Sequence, residues 1–171
     1  AGRAGATELG AGYMQTGALL GSGKAMCWGY NQDGQLGNSG TTDSSTPVVV
    51  TGLAGATELA AGTSHTCALL GSSKAMCWGL NRQGELGNGG TTDSSTPVVV
   101  TGLAGATELA AGCMHTCALP GSGKAMCWGY NQYGQLGNDG PPDTRTPVVH
   151  TLLARPPPPP TVHVTRSALP A

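Results

Sequence analysis

Short apolar runs separated by glycine-rich turns recur along the chain. Within residues 67–70 and 75–78, apolar side chains occupy nearly every position, without the alternation of a strand that has one wet face. A strand covered on both faces shows this pattern. The turn cluster Gly71-Ser72-Ser73 separates the two runs. The pattern therefore predicts strands over 65–70 and 74–78 in a sheet that is buried on both sides.

Two weaker signals complete the predicted sheet. Residues 58–61 form a short apolar segment, and residues 97–100 read Pro-Val-Val-Val, with proline at the first strand position, where its missing N–H does least harm. A long polar loop with four glycines fills residues 81–96. Four short strands joined by tight turns are typical of one blade of a β-propeller.

The same pattern returns every 50 residues. Trp28, Trp78 and Trp128 are the three tryptophans of the chain, each 50 residues from the next, and residues 40–62 and 90–112 are identical. A fixed period of this length indicates a repeat architecture. We expect three tandem repeats over 1–153, in the phase 1–62, 63–112 and 113–153, followed by a disordered proline-rich tail at 154–171.

The predicted fold class is all-β, with blades of four antiparallel strands that form a three-blade arc of a propeller. A solenoid would also cover both faces of each sheet, but it normally repeats over fewer residues. A propeller ring closes with about four to eight blades, so an arc of three leaves two apolar end faces uncovered. We expect either that the chain is an excerpt of a longer protein or that copies associate through these faces.

The repeat unit resembles repeats of the regulator of chromosome condensation family. The resemblance rests on residues 61–69 (Ala-Gly-x-x-His-Thr-Cys-Ala-Leu), 77–88 (Cys-Trp-Gly-x-Asn-x-x-Gly-x-Leu-Gly-Asn) and 95–100 (Ser-Thr-Pro-Val-Val-Val). It implies a β-propeller, usually of seven blades. The first repeat departs from the pattern, because Gln15 stands in place of His65 and Gly17 in place of Cys67.

Composition narrows the class of partner. The net charge is −1 and charged residues make up 10% of the chain, which gives no basic surface for nucleic acid or for an anionic membrane. No apolar run approaches the ~20 residues that a membrane-spanning helix needs. We therefore expect a protein partner, with no nucleic acid and no membrane.

Four cysteines are placed for two disulfides. Cys67 and Cys77 lie at equal distances from residue 72, so in a simple hairpin they face each other on one side of the sheet. Cys117 and Cys127 repeat this arrangement, whereas Gly17 faces Cys27 in the first repeat. Such bonds would favour an extracellular or cell-surface location, and reduced thiols a cytoplasmic one.

Two alternatives for these cysteines remain open at this point. The thiols can be reduced and packed as small apolar groups. Alternatively, Cys113, His115 and Cys117 share one strand face and, with Cys127, supply a set of zinc ligands. Because Thr63 stands in place of Cys113 in the second repeat, that set is complete only once, and we predict no metal site.

The repeated large side chains are interpreted as structural. We expect the tryptophans to pack between blades and the histidines to hydrogen bond to backbone carbonyls. The glycine-rich turns at residues 21–25 and 121–125 lack the spacing of a phosphate-binding loop. The predicted structural positions are Trp28, Trp78, Trp128, Leu36, Leu86, Leu136, His65 and His115.

Variable loop positions carry the functional hypothesis. Neither a nucleophile with its base nor a pair of carboxylates recurs at a repeated site, so we predict a non-enzymatic protein–protein interaction module without a cofactor. The alternative is a regulator of a small GTPase, akin to the guanine-nucleotide exchange factors of the family. The candidate partner-binding residues lie on loops at one rim: Gln32, Asp33, Arg82, Gln83, Gln132 and Tyr133.

Overall fold

A computed structural model describes residues 5–150 as three four-stranded antiparallel sheets. The predicted all-β fold class is confirmed. The first sheet contains β1 (Ala6–Ala11), β2 (Gln15–Leu20), β3 (Ala25–Gly29) and β4 (Ser44–Val49). The second contains β5 (Ala56–Ala61), β6 (His65–Leu70), β7 (Ala75–Gly79) and β8 (Ser94–Val99). The third contains β9 (Ala106–Ala111), β10 (His115–Pro120), β11 (Met126–Gly129) and β12 (Thr144–Val149).

Strands follow one another in sequence order within every sheet, as in a β-meander. In the central hairpin of the second sheet, Cys67 pairs with Cys77 and Thr66 with Trp78. The pairing of β7 with β8 is irregular between Cys77 and Gly79, which has a φ of 105°. Such a bulge bends the strand and redirects the chain into the loop that follows.

The second sheet starts at Ala56 and the third at Ala106, so the connections between sheets fall near residues 50–55 and 100–105. The fourth strand begins at Ser94, ahead of the predicted Pro97. The proline-rich tail predicted at 154–171 lies outside the described residues. Within residues 5–150, no helix has the length and apolar character needed to cross a membrane.

Two apolar clusters fill the junctions between neighbouring sheets. At the first junction, Trp78 of the second sheet packs with Leu36 and Val50 from the first repeat. At the second junction, Trp128 packs with Leu86 and Val100 in the same way. Trp78 and Trp128 are fully buried, as are all three loop leucines at positions 36, 86 and 136. Trp28, against which no preceding sheet lies within residues 5–150, is only half-buried.

Candidate interaction surface

Three equivalent loops connect the third and fourth strands of the sheets. We call them the rim loops: residues 30–43, 80–93 and 130–143. Each follows the end of its third strand, whereas the hairpin turn precedes the start of that strand. The rim loops and the hairpin turns therefore lie at opposite ends of the sheets, and the rim loops share one end.

A buried asparagine fixes the backbone of each rim loop. The Oδ1 atom of Asn81 accepts a hydrogen bond from Leu86 N at 3.0 Å, and its Nδ2 donates to Asn88 Oδ1 at 3.2 Å and to Thr92 O at 3.0 Å. The backbone N–H of Asn81 donates to Asp93 Oδ1 at 2.7 Å. Asn31 and Asn131 make the corresponding bonds and, like Asn81, are fully buried. These side-chain hydrogen bonds fix the loop backbone in place of the backbone–backbone bonds of a regular β-ladder.

The backbones of the first and second rim loops are also bonded to the next sheet. Gln35 O accepts hydrogen bonds from Trp78 Nε1 at 2.9 Å and from Thr66 Oγ1 at 3.0 Å. Glu85 O accepts the equivalent bonds from Trp128 Nε1 at 2.8 Å and Thr116 Oγ1 at 2.9 Å. Because all these atoms are buried, the first and second rim loops are held rigidly against the following repeat.

Most of the predicted partner-binding side chains lie on the outside of this fixed frame. Gln32 is exposed and donates from Nε2 to Asp43 Oδ1 at 3.2 Å. Arg82 is exposed and lies 3.8 Å from Asp33 of the preceding repeat, as an ion pair between NH2 and Oδ1. Tyr133 is 87% exposed, and its ring lies edge-on to Tyr130 with centroids 6.0 Å apart.

A cavity of about 250 Å³ lies between the second and third rim loops. It brings together three predicted residues, Arg82, Gln83 and Gln132, with four others. Arg145 is the most significant residue that the sequence reasoning missed. The available signal was the serine at the same position of the other repeats, Ser45 and Ser95. The lining residues are Arg82, Gln83, Thr91, Gln132, Pro142, Asp143 and Arg145.

Comparison with known families agrees with this architecture. The sequence model described as the Regulator of chromosome condensation (RCC1) repeat matches residues 22–69 and 76–119. A second model with the same description matches residues 56–85 and 107–135. The chain belongs to the RCC1 repeat family. None of the curated protein sequences matches this RCC1-repeat chain closely enough to count as a relative.

Solved structures show the same fold. Yeast RCC1 (Prp20) bound to Kap60 superposes with a TM-score of 0.77 at 22% identity, over 86% of this chain and 38% of that chain. Prp20p from Saccharomyces cerevisiae gives 0.77 at 21% identity, over 86% and 39%. Human WBSCR16 gives 0.74 at 20% identity, over 84% and 37%. The RCC1-repeat chain thus spans less than two fifths of these structures.

The side chain of His65 bonds differently from the prediction. His65 Nε2 lies 3.0 Å from Thr116 Oγ1 of the next repeat, so its partner is a side-chain hydroxyl and the predicted backbone carbonyl is wrong. Burial lowers the pKa of His65 to about 4, which keeps the ring neutral near neutral pH. In the first repeat, Gln15 Nε2 instead donates to Gly62 O at 3.1 Å and His65 O at 3.2 Å. The half-buried His115 also has a lowered pKa because of burial.

The cysteines form the two pairs expected from hairpin geometry. Cys67 is bonded to Cys77 and Cys117 to Cys127, with Cα–Cα distances of 4.0 Å and 4.1 Å. The disulfide excludes the alternative zinc set, since a bonded sulfur is no thiolate ligand. Among residues 5–150, no group of three or more metal-binding side chains is found. Cys27 is buried, which raises the pKa of its thiol to about 12, and Cys113 is exposed.

Proposed function

We propose that this RCC1-repeat chain is a non-enzymatic protein-interaction module whose specificity resides on the rim loops. The observation that carries the proposal is that each rim loop combines a fixed backbone with variable exposed side chains. Buried Asn and Leu residues, together with a Gln or Glu, fix its backbone, while the exposed side chains differ between repeats. A rigid frame with variable exposed side chains is suited to recognition of another macromolecule.

The relatives support an interaction role. One similar structure is that of yeast RCC1 (Prp20) bound to Kap60, and another is of Prp20p with its binding properties to Gsp1p and histones. Those partners belong to Prp20, which is 21–22% identical to this chain over the aligned region. They support an interaction function in general and are not assigned to this chain.

A regulator of a small GTPase is the second candidate, because the similar protein Prp20p binds Gsp1p. Within the described residues, the three rim loops have equal lengths, and none contains an insertion to act as a wedge. Yeast Gsp1p loaded with a fluorescent guanine nucleotide separates the two candidates. We expect no acceleration of nucleotide release by this chain, and a marked acceleration would favour the regulator.

Peptide selection followed by mapping tests the interaction role. Peptides selected from a random display library against the folded chain are expected to protect backbone amides of the rim loops from hydrogen exchange. Substitution of the exposed Tyr133 by Ser should weaken the selected peptides, whereas Lys74→Ser, at a hairpin turn, should not. Protection confined to the hairpin turns would contradict the proposal.

A further inference from the structure

The cavity between the second and third rim loops differs chemically from the rest of the rim. We propose that this cavity, which we call the arginine cleft, binds the carboxylate of a Glu or Asp side chain in an exposed acidic segment of a partner protein. The inference rests on the proposed interaction function and specifies the chemistry of the partner. Its lining residues are Arg82, Gln83, Thr91, Gln132, Pro142, Asp143 and Arg145.

Two guanidinium groups border the arginine cleft with their donors largely unused. The side chain of Arg145 is exposed and makes no hydrogen bond or ion pair with the described residues. Arg82 has one ion-pair partner, Asp33, at the long distance of 3.8 Å, and its side chain is 71% exposed. A guanidinium group carries five donors in a planar fork that matches a carboxylate. Both arginines are therefore available to an incoming acid.

The one acidic residue that lines the arginine cleft, Asp143, is bonded to its own rim loop and not to the two arginines. Asp143 Oδ1 accepts hydrogen bonds from Asn131 N at 2.8 Å and from Gln132 Nε2 at 3.2 Å. This carboxylate is committed to holding the third rim loop, as Asp43 and Asp93 hold the other two. The lining residues carry a net charge of +1 from two arginines and one aspartate, which favours an anionic ligand, although Asp33 outside the lining offsets part of the charge of Arg82.

The backbone next to Arg145 is fixed in position. Arg145 O accepts a hydrogen bond from Gly89 N at 2.9 Å, which ties the start of β12 to the second rim loop. Gly84 has a φ of 92°, and a Cβ at this position would lie 2.8 Å from Arg145 Cα. Glycine therefore permits the close approach of the two segments. The base of the arginine cleft is rigid, and only the side-chain ends must order on binding.

Sequence differences between repeats converge on this one cleft. Gln occupies the position of Arg82 in the first and third repeats, and Ser occupies that of Arg145 in the first and second. Pro141 and Pro142 replace two threonines of the other repeats. The first junction therefore has Ser95 where the second junction has Arg145. A paired-arginine site exists only at the second junction among the described residues.

The test uses substitutions that the other repeats already contain. The double variant Arg82→Gln, Arg145→Ser should fold normally, since both side chains are exposed. The probe is a short fluorescein-labelled peptide of alternating Glu and Gly, titrated at about 0.15 M salt. We expect the amides of Gln83, Gly89 and Gln132 to shift in the NMR spectrum. The double variant should weaken peptide affinity about tenfold, as expected for loss of two charge-assisted contacts.

A matched control removes equal charge elsewhere. Lys24→Gln with Lys74→Gln neutralises two cations at the hairpin turns, at the other end of the sheets, and should leave the affinity within about twofold, because distant exposed charges are screened. An equal loss of affinity in the two double variants would overturn the proposal. So would an absence of binding by the Glu peptide, or equally strong binding of a Gln–Gly peptide.

Two further outcomes separate this inference from the proposed function. Complete displacement of the peptide by millimolar inorganic phosphate would indicate a general anion site and would overturn the acidic-segment assignment. Selected peptides that protect the rim loops but bind the Arg82→Gln, Arg145→Ser variant unchanged would also overturn it, while the interaction function would stand.

Discussion

At the scale of single residues, position 85 shows the sharpest contrast between repeats. Glu85 is fully buried where the other repeats carry Gln35 and Gln135. Its Oε2 accepts a hydrogen bond from Gln83 N at 2.8 Å, but its Oε1 is buried without a partner. Burial raises the pKa of Glu85, because removal from water penalises the charged form. The ionised carboxylate is therefore a source of instability.

We expect Glu85→Gln to stabilise the chain near neutral pH. Glutamine retains the acceptor for Gln83 N and removes a buried charge, but its Nε2 is left without a partner, as in Gln35, so the free energy of unfolding should rise by only about 1 kcal/mol. Since the folded pKa is above the unfolded one, the penalty of the wild-type carboxylate grows as pH rises from about 4 and is fully present above the folded pKa. Urea unfolding near neutral pH and at about pH 4 measures the difference.

The reverse substitution provides the control. Gln35→Glu places a carboxylate at the equivalent buried position of the first repeat and should destabilise near neutral pH. Destabilisation at low pH through the buried His65 is common to all three chains and cancels in the comparison. An equal gain from Glu85→Gln at both pH values would contradict the proposed cause.

Cysteine reactivity is the second prediction at this scale. Cys113 is exposed, whereas burial raises the pKa of Cys27 to about 12 and holds it as an unreactive thiol. In unreduced native protein, a thiol reagent should label Cys113 rapidly and Cys27 only upon unfolding. Peptide mapping after labelling identifies the sites. Six labelled cysteines in denaturant without reductant would show that the disulfides are absent.

At the scale of elements, the central hairpin of the first repeat lacks the disulfide of the other two. Gly17 pairs with Cys27 in the register that joins Cys67 to Cys77. A Cβ at residue 17 would lie 3.4 Å from Cys27 Sγ and 3.3 Å from Leu59 Cδ1. The second junction accommodates the equivalent Leu109 beside Cys67. The first hairpin therefore has room for the same bond.

We expect Gly17→Cys to form a third disulfide with Cys27. The closed loop is short, so the loop-entropy estimate gives a stabilisation of about 2–3 kcal/mol, less any strain at Leu59. Intact-mass analysis after alkylation in denaturant should show one free cysteine in the variant and two in the parent chain. Gly17→Ser, which adds a side chain of similar size without a bond, is the control. Three free cysteines in the variant would refute the prediction.

The elements also show how far the sequence could predict the structure. Dense apolar runs in the sequence identify the two inner strands, because a strand buried on both faces carries apolar side chains at nearly every position. The outer strands were misplaced by a few residues, since β8 begins at Ser94 and is only partly buried. The partner of His65 could not be predicted, because it belongs to the next repeat. The expectation that specificity lies on loops does not predict Arg145, because this residue lies in a strand.

At the scale of the whole molecule, the outer faces of the first and third sheets are copies of surfaces that are buried at the junctions. Leu9 is 68% exposed, whereas the equivalent Leu59 and Leu109 are 5% and 6% exposed. On the outer face of the third sheet, Cys117 and Leu119 are half-buried, although Cys67 and Leu69 are buried. The two outer faces are complementary, since their equivalents already pack together twice within the chain.

We expect the chain to associate head to tail with a second copy. Trp28 would then occupy the environment of Trp78, and the apolar area removed from water would stabilise the complex. Analytical ultracentrifugation should show a concentration-dependent dimer, and Trp28 should become less accessible to quenchers. Leu9→Glu should reduce association, whereas Tyr133→Ser, at a more exposed position on the rim, should not. A monomer at all concentrations would refute this expectation.

The indole and hydroxyl groups that join successive sheets at the rim loops donate hydrogen bonds to the main-chain oxygen of Gln35 or Glu85. The main-chain oxygen is present whichever side chain the residue carries. Substitutions on the exposed side of the loop therefore cost little stability. A tandem array built this way can acquire a new binding preference by altering a few exterior residues, one repeat at a time, while its architecture is inherited unchanged.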